Sequence, residues 1–99
     1  MERKLLAKGN GWVIYIPTQI IKILGYDVKE TRVAYKIENN ILKIFEAKDA
    51  FGLTKKFIRH GGGWALFVSN TILELLEINP EIDFIKYKID NEILRISKA

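Results

Sequence analysis

The stretch GNGWVIYIP, residues Gly9 to Pro17, returns later in the chain as GGGWALFVS, Gly61 to Ser69. Sliding the sequence by 52 residues aligns 3–47 with 55–99 without a gap, and fourteen positions are identical. They include Gly9/Gly61, Gly11/Gly63, Trp12/Trp64, Leu24/Leu76, Tyr35/Tyr87, Lys36/Lys88, Asn39/Asn91 and Leu42/Leu94. Many other pairs keep their character, such as Ile14/Leu66, Ile16/Val68 and Val33/Ile85. A self-match at a fixed period means that one structural unit is used twice.

Each unit reads in the same order. A short first strand, Lys4–Lys8 or Lys56–His60, runs into a glycine corner that permits positive φ and a tight hairpin. The second strand places Trp12, Ile14 and Ile16 on one face and Val13 and Tyr15 on the other, so the pattern predicts a strand covered on both sides. Its counterpart carries Trp64, Leu66 and Val68 against Ala65 and Phe67. A short helix follows, TQIIKILG or NTILELLE, with Ile20, Ile23 and Leu24 (Ile72, Leu75 and Leu76) at helical spacing. Thr18 and Asn70 (or Ser69) are its expected N-caps, and Gly25 is its expected stop. A closing hairpin points Val33, Tyr35 and Ile37 inward and Ala34, Lys36 and Glu38 outward, with turns at Asn39–Asn40 and Asn91–Glu92. One unit of about 45 residues is too small for an adequate core. Two units joined by the short linker 48–54, which contains Gly52, predict a single pseudosymmetric domain over 1–99. The expected fold is mainly β with two short helices, a barrel built from two strand-strand-helix-strand-strand repeats.

The 99 residues are 48% hydrophobic and 28% charged, the profile of a globular chain rather than a disordered one. No apolar run approaches the roughly 20 residues that span a bilayer. The N-terminus lacks a long apolar stretch with a cleavage site, so no signal peptide is expected. Cysteine is absent, which excludes a disulfide framework and thiolate chemistry. A cytoplasmic location without membrane association is the expectation. The formal charge is +4, and the positive charge is concentrated. Arg3, Lys4 and Lys8 occupy 3–17 with no acid; Lys55, Lys56 and Arg59, beside His60, occupy 53–69 with none. Such clustering points to a polyanionic partner.

The succession of basic strand, Lys8-Gly9-Asn10-Gly11 corner, Ile14-Tyr15-Ile16-Pro17, short helix ending in Leu-Gly, and hairpin resembles the AbrB/MazE/SpoVT swapped-hairpin domain. His60-Gly61-Gly62-Gly63 with Phe67-Val68-Ser69 is a degraded copy. In that family two chains interleave their hairpins into one DNA-binding barrel. The resemblance, covering nearly the whole chain twice, implies a pseudo-two-fold swapped-hairpin β-barrel, a dimer fused in one polypeptide, whose further oligomerisation is open. This sequence departs from the family where an Arg or Lys commonly precedes the Ile-Pro pair: Tyr15 and Phe67 stand there. The family's Gly-Asp between helix and hairpin is replaced by Lys29-Glu30 and Glu81-Ile82, and the second unit has Pro80 instead of a Pro at the strand end.

Two basic hairpins related by a pseudo-dyad suit double-stranded DNA, whose phosphates are regular and whose half-sites a symmetric protein can address. Arg3, Lys4 and Lys8 on one half, and Lys55, Lys56 and Arg59 on the other, are the expected phosphate contacts. Asn10 stands where an amide reaches a base edge or phosphate; its counterpart Gly62 makes the halves unequal. Tyr15 either packs or faces DNA, and His60 is read as a surface residue or phosphate contact. Core packing is the simpler reading of Trp12 and Trp64, and a solvated face that of Lys36, Lys88, Lys43 and Arg95. No carboxylate pair, metal spacing or nucleophile set points to catalysis, and neither metal nor cofactor is expected. The glycine corners are not phosphate loops, since no Lys-Ser/Thr follows. The leading expectation is a DNA-binding transcriptional regulator. The alternatives are an antitoxin or protein-binding adaptor of the same fold, and a double-psi-barrel recognition domain. The chain ends with the last strand of the second unit, at Ala99, which weighs against a toxin-wrapping tail.

Overall fold

The computed structural model describes residues 1–48 and 54–99; most of the expected linker 48–54, including Gly52, lies outside the described residues. Strands make up 52% of it, with two short helices, and the sheets curl into half-barrels. In chain order the elements are β1 (Glu2–Lys4), β2 (Leu6–Lys8), β3 (Gly11–Ile16), α1 (Thr18–Leu24), β4 (Arg32–Glu38) and β5 (Ile41–Glu46). The second repeat supplies β6 (Lys55–Lys56), β7 (Ile58–His60), β8 (Gly63–Val68), α2 (Asn70–Leu75), β9 (Phe84–Asp90) and β10 (Ile93–Lys98).

The expected continuous first strand is corrected by the structure: in both repeats it breaks at one residue. Leu5 and Phe57 turn into the core, only 5% and 6% exposed, and the strand changes sheets there. Before the break, β1 pairs with β9 and β6 pairs with β4, each with a strand of the other repeat. After it, β2 pairs with β3 and β7 with β8, inside their own repeats. The result is a six-stranded sheet, β1-β9-β10-β5-β4-β6, and a four-stranded sheet, β2-β3-β8-β7. All neighbours are antiparallel.

The register at both sheet centres is symmetric under the 52-residue offset. Leu94 faces Ile44 and Ile96 faces Leu42, so the β10–β5 contact turns about Arg95 and Lys43. Trp12 faces Val68 and Ile16 faces Trp64, so β3–β8 turns about Ile14 and Leu66. Between the sheets lies one core. Ile14, Ile16, Leu66 and Val68 come from the small sheet; Val33, Leu42, Ile44, Ile85, Leu94 and Ile96 come from the large one. The helices add Ile20, Ile21, Leu73 and Leu76. Trp12 and Trp64 pack against this cluster, as their parity with Ile14 and Leu66 predicts.

The caps differ between repeats. Thr18 is not the α1 cap: Pro17 holds that position without a side-chain bond, and its carbonyl accepts from Ile20 and Ile21 N–H. A proline has no N–H to lose and its fixed φ suits a helix entrance. In α2 the cap is Ser69, whose Oγ accepts from Ile72 N–H at 3.2 Å, and Asn70 is the first helical residue. Gly25 closes α1 at φ 72°, a conformation that favours glycine.

Candidate nucleic-acid interface

The break at Leu5 and Phe57 decides where the basic residues go. Alternation about it leaves Lys4 beside Phe84, and Lys56 beside Arg32, on the outer face of the six-stranded sheet. Arg3 and Lys55 turn the other way. The Arg3 guanidinium lies over the Tyr15 ring at 4.8 Å, and the Lys55 ammonium over Tyr35 at 5.9 Å. Lys8, Asn10, Arg59 and His60 belong to the hairpins of the four-stranded sheet. The nine expected contact residues therefore divide between two surfaces.

On the small sheet the two edges approach each other. Lys8 Nζ donates to the Arg59 carbonyl at 3.0 Å, joining β2 of one repeat to β7 of the other. A cleft of about 340 Å³ is lined by Arg3, Leu6, Tyr15, His60, Gly62 and Gly63. Its walls thus combine a guanidinium, an imidazole and a phenol with the exposed backbone of Gly62, while Gly63 is buried beneath the Tyr15 ring. Val13 and Ala65, central on this outer side, are fully buried. Phe67 remains 42% exposed and Leu6 36%. Arg59 lies over Trp64 at 4.9 Å. None of these contacts removes positive charge: carbonyls and rings hold the cations in place and leave their remaining donors available. Lys4 is similarly placed, donating to the Glu81 carbonyl at 2.9 Å. The strands β2, β3, β7 and β8 contain no acidic residue.

Two hydrogen bonds lock this sheet onto the other. Tyr35 Oη donates to the Phe67 carbonyl at 2.7 Å, and Tyr87 Oη to the Tyr15 carbonyl at 2.6 Å. These are equivalent bonds in the two repeats, each crossing from one to the other. The ladder of β2 on β3 ends at Leu6 opposite Val13, short of Tyr15; that of β7 on β8 ends at Ile58 opposite Ala65, short of Phe67. The tyrosine hydroxyls serve carbonyls beyond the point where the first strand has left. Burial pushes the Tyr87 phenol up to about 12, with Arg3 opposing the shift, and raises Tyr35 further still.

Sequence reasoning placed Lys36, Lys43, Lys88 and Arg95 correctly on the outside but missed that they form one set. They stand in register on adjacent strands: Lys88 opposite Arg95, Arg95 opposite Lys43, Lys43 opposite Lys36. Glu38 pairs with Lys36 and Lys43, both at 3.2 Å, and Asp90 with Arg95 at 3.3 Å. Hydrogen bonds from Lys43 and Lys36 hold the Glu38 carboxyl below its ordinary range. The repeat offered the clue, since 36/88 and 43/95 correspond. The β10–β5 pairing that joins them is a contact between repeats and has no local signature.

Among the described residues no group of three or more His, Cys, Asp or Glu side chains is arranged to hold a metal ion, and no helix is long and apolar enough to cross a membrane. No family model, curated protein or solved structure matches this chain.

Proposed function

We propose that this chain is a fused, pseudo-two-fold swapped-hairpin barrel that binds double-stranded DNA through the first hairpins of both repeats and acts as a transcriptional regulator. The observation that carries the reading is the acid-free small sheet, whose paired edges bear Lys8, Arg59 and His60 with Arg3 and Lys55 beside them. The β1–β9 and β6–β4 pairings, in which each repeat lends a strand to the other, support the interleaved architecture. Asn10 and Gly62 occupy equivalent tips, so the two half-sites are read unequally.

The test is fluorescence anisotropy with a random-sequence duplex across a salt series. Neutralising four to six phosphates gives a slope of log affinity on log salt of about −4 to −5. Replacing Arg3, Lys8, Lys55 and Arg59 together by Ala weakens binding and makes the slope shallower. Absence of binding at low salt rejects the reading. One observation favours a protein partner instead: Leu6 and Phe67 flank Val13 in a cross-strand row and both stay exposed. On that reading an L6S/F67S variant loses its partner while the charge-removed variant keeps it.

A further inference from the structure

The outer face of the six-stranded sheet carries an excess of positive over negative side chains. Its four central strands present Arg32, Lys36, Lys43, Lys86, Lys88 and Arg95 outward, against Glu38 and Asp90. Like charges directly opposite one another on adjacent strands destabilise a sheet. Here three such pairs follow in succession, Lys88–Arg95, Arg95–Lys43 and Lys43–Lys36. With neighbouring strands about 4.8 Å apart, the row runs about 14 Å across the sheet. The two acids relieve Lys36, Lys43 and Arg95. Among the described residues Lys86 and Lys88 enter no ion pair, and the Arg95 Nε is buried without a hydrogen-bond partner. Beside the row lies a groove of about 460 Å³, lined by Ile41, Lys86, Lys88, Arg95 and Ser97, with Met1 and Glu2 among its walls. A basic groove next to a straight basic row complements a line of phosphates.

We propose that this face is a second phosphate-binding surface, taking the backbone of a separate DNA duplex. The inference rests on the hairpin reading above. The row and the hairpin tips belong to different sheets packed on one core, so a single chain holds two duplexes, one at each sheet.

The test is sedimentation velocity with a labelled 15-base-pair duplex in excess at low salt. The unaltered chain gives a complex with the mass of one protein and two duplexes. The variant K36Q/K43Q/K88Q/R95Q gives one protein and one duplex. A milder variant, K86Q/K88Q, leaves the Glu38 and Asp90 pairs intact and weakens the second binding event about tenfold, so the test does not depend on the quadruple variant folding. A two-duplex complex undiminished in both variants overturns the proposal. So does an unaltered chain that saturates at one duplex; if that duplex is lost on removing the hairpin cations, the hairpin reading survives alone. If it is lost only on removing the row, the hairpin reading and the two-duplex stoichiometry fall, and the row is the site of the one duplex. Displacement of the second duplex by an equal concentration of single-stranded oligonucleotide overturns the choice of a duplex as occupant.

Discussion

A methyl group built on Gly63 would stand 2.6 Å from Tyr15 Cε1 and 2.9 Å from its hydroxyl, whereas at the equivalent Gly11 the nearest atom is the Lys8 carbonyl oxygen at 3.9 Å. The repeats are thus alike in backbone and unlike in what leans on it. Tyr15 lies over Gly63 and is capped by Arg3, so the ring has little freedom to yield. Gly63→Ala is expected to cost about 1–3 kcal/mol in chemical denaturation and Gly11→Ala well under 1 kcal/mol. Adding Tyr15→Ser to Gly63→Ala should recover part of the loss. Tyr35 and Tyr87 make a second residue-level prediction. Their phenols ionise near pH 10 when unfolded, and in the fold Tyr87 is held up to about 12 and Tyr35 beyond. Below pH 10 both states keep their protons and stability is undiminished. Above it the unfolded chain ionises first, and stability falls by up to about 1.4 kcal/mol per pH unit for each tyrosine. Thermal melts from pH 9 to 11.5 should show this decline, and Y35F/Y87F should lack that part of it. At neutral pH the double variant is less stable by about 2 kcal/mol, for two lost hydrogen bonds. The inward parity of both tyrosines was legible from alternation. Their hydroxyl partners were not, because each bond spans distant segments of the chain.

Hairpin turns and strand breaks follow different rules of legibility. Asn39–Asn40 and Asn91–Glu92 were readable as turns, and all four residues adopt positive φ, from 50° to 65°, as a two-residue hairpin of this hand requires. Asn tolerates that conformation; Glu92, at φ 65°, bears its cost. Glu92→Gly should therefore raise stability by about 0.5–1 kcal/mol, measured by urea unfolding, while Asn91→Ala lowers it. The first strands were harder. Their length and alternation are compatible with one continuous element, and nothing local marks Leu5 or Phe57 as the residue that turns inward. The requirement comes from outside: β1 and β6 must leave the small sheet to reach β9 and β4. Leu5→Ala should cost about 2–5 kcal/mol by opening a cavity at the bend. Leu6→Ala, one residue later on a 36% exposed side chain, should cost much less.

The duplication governs the whole molecule. Neither repeat closes a sheet alone: each takes an edge strand from the other, and both sheet centres are contacts between repeats. The repeated order of elements was readable because each unit carries its own turns and periodicities. The partition of positive charge was not, because it depends on the strand breaks and on pairing between repeats. Arg3, Tyr15 and His60 converge on one cleft as a result, Lys4 and Lys56 pass to the opposite face, and four cations thought merely solvated fall into a row. The measurement that tests DNA binding by the hairpins most directly is a two-dimensional amide NMR titration with less than one equivalent of duplex. The account predicts the first and largest shifts at Lys8–Gly11 and Arg59–Gly63, unequal at the Asn10 and Gly62 tips. Shifts confined to α1 and α2, or none at all at low salt, would contradict it.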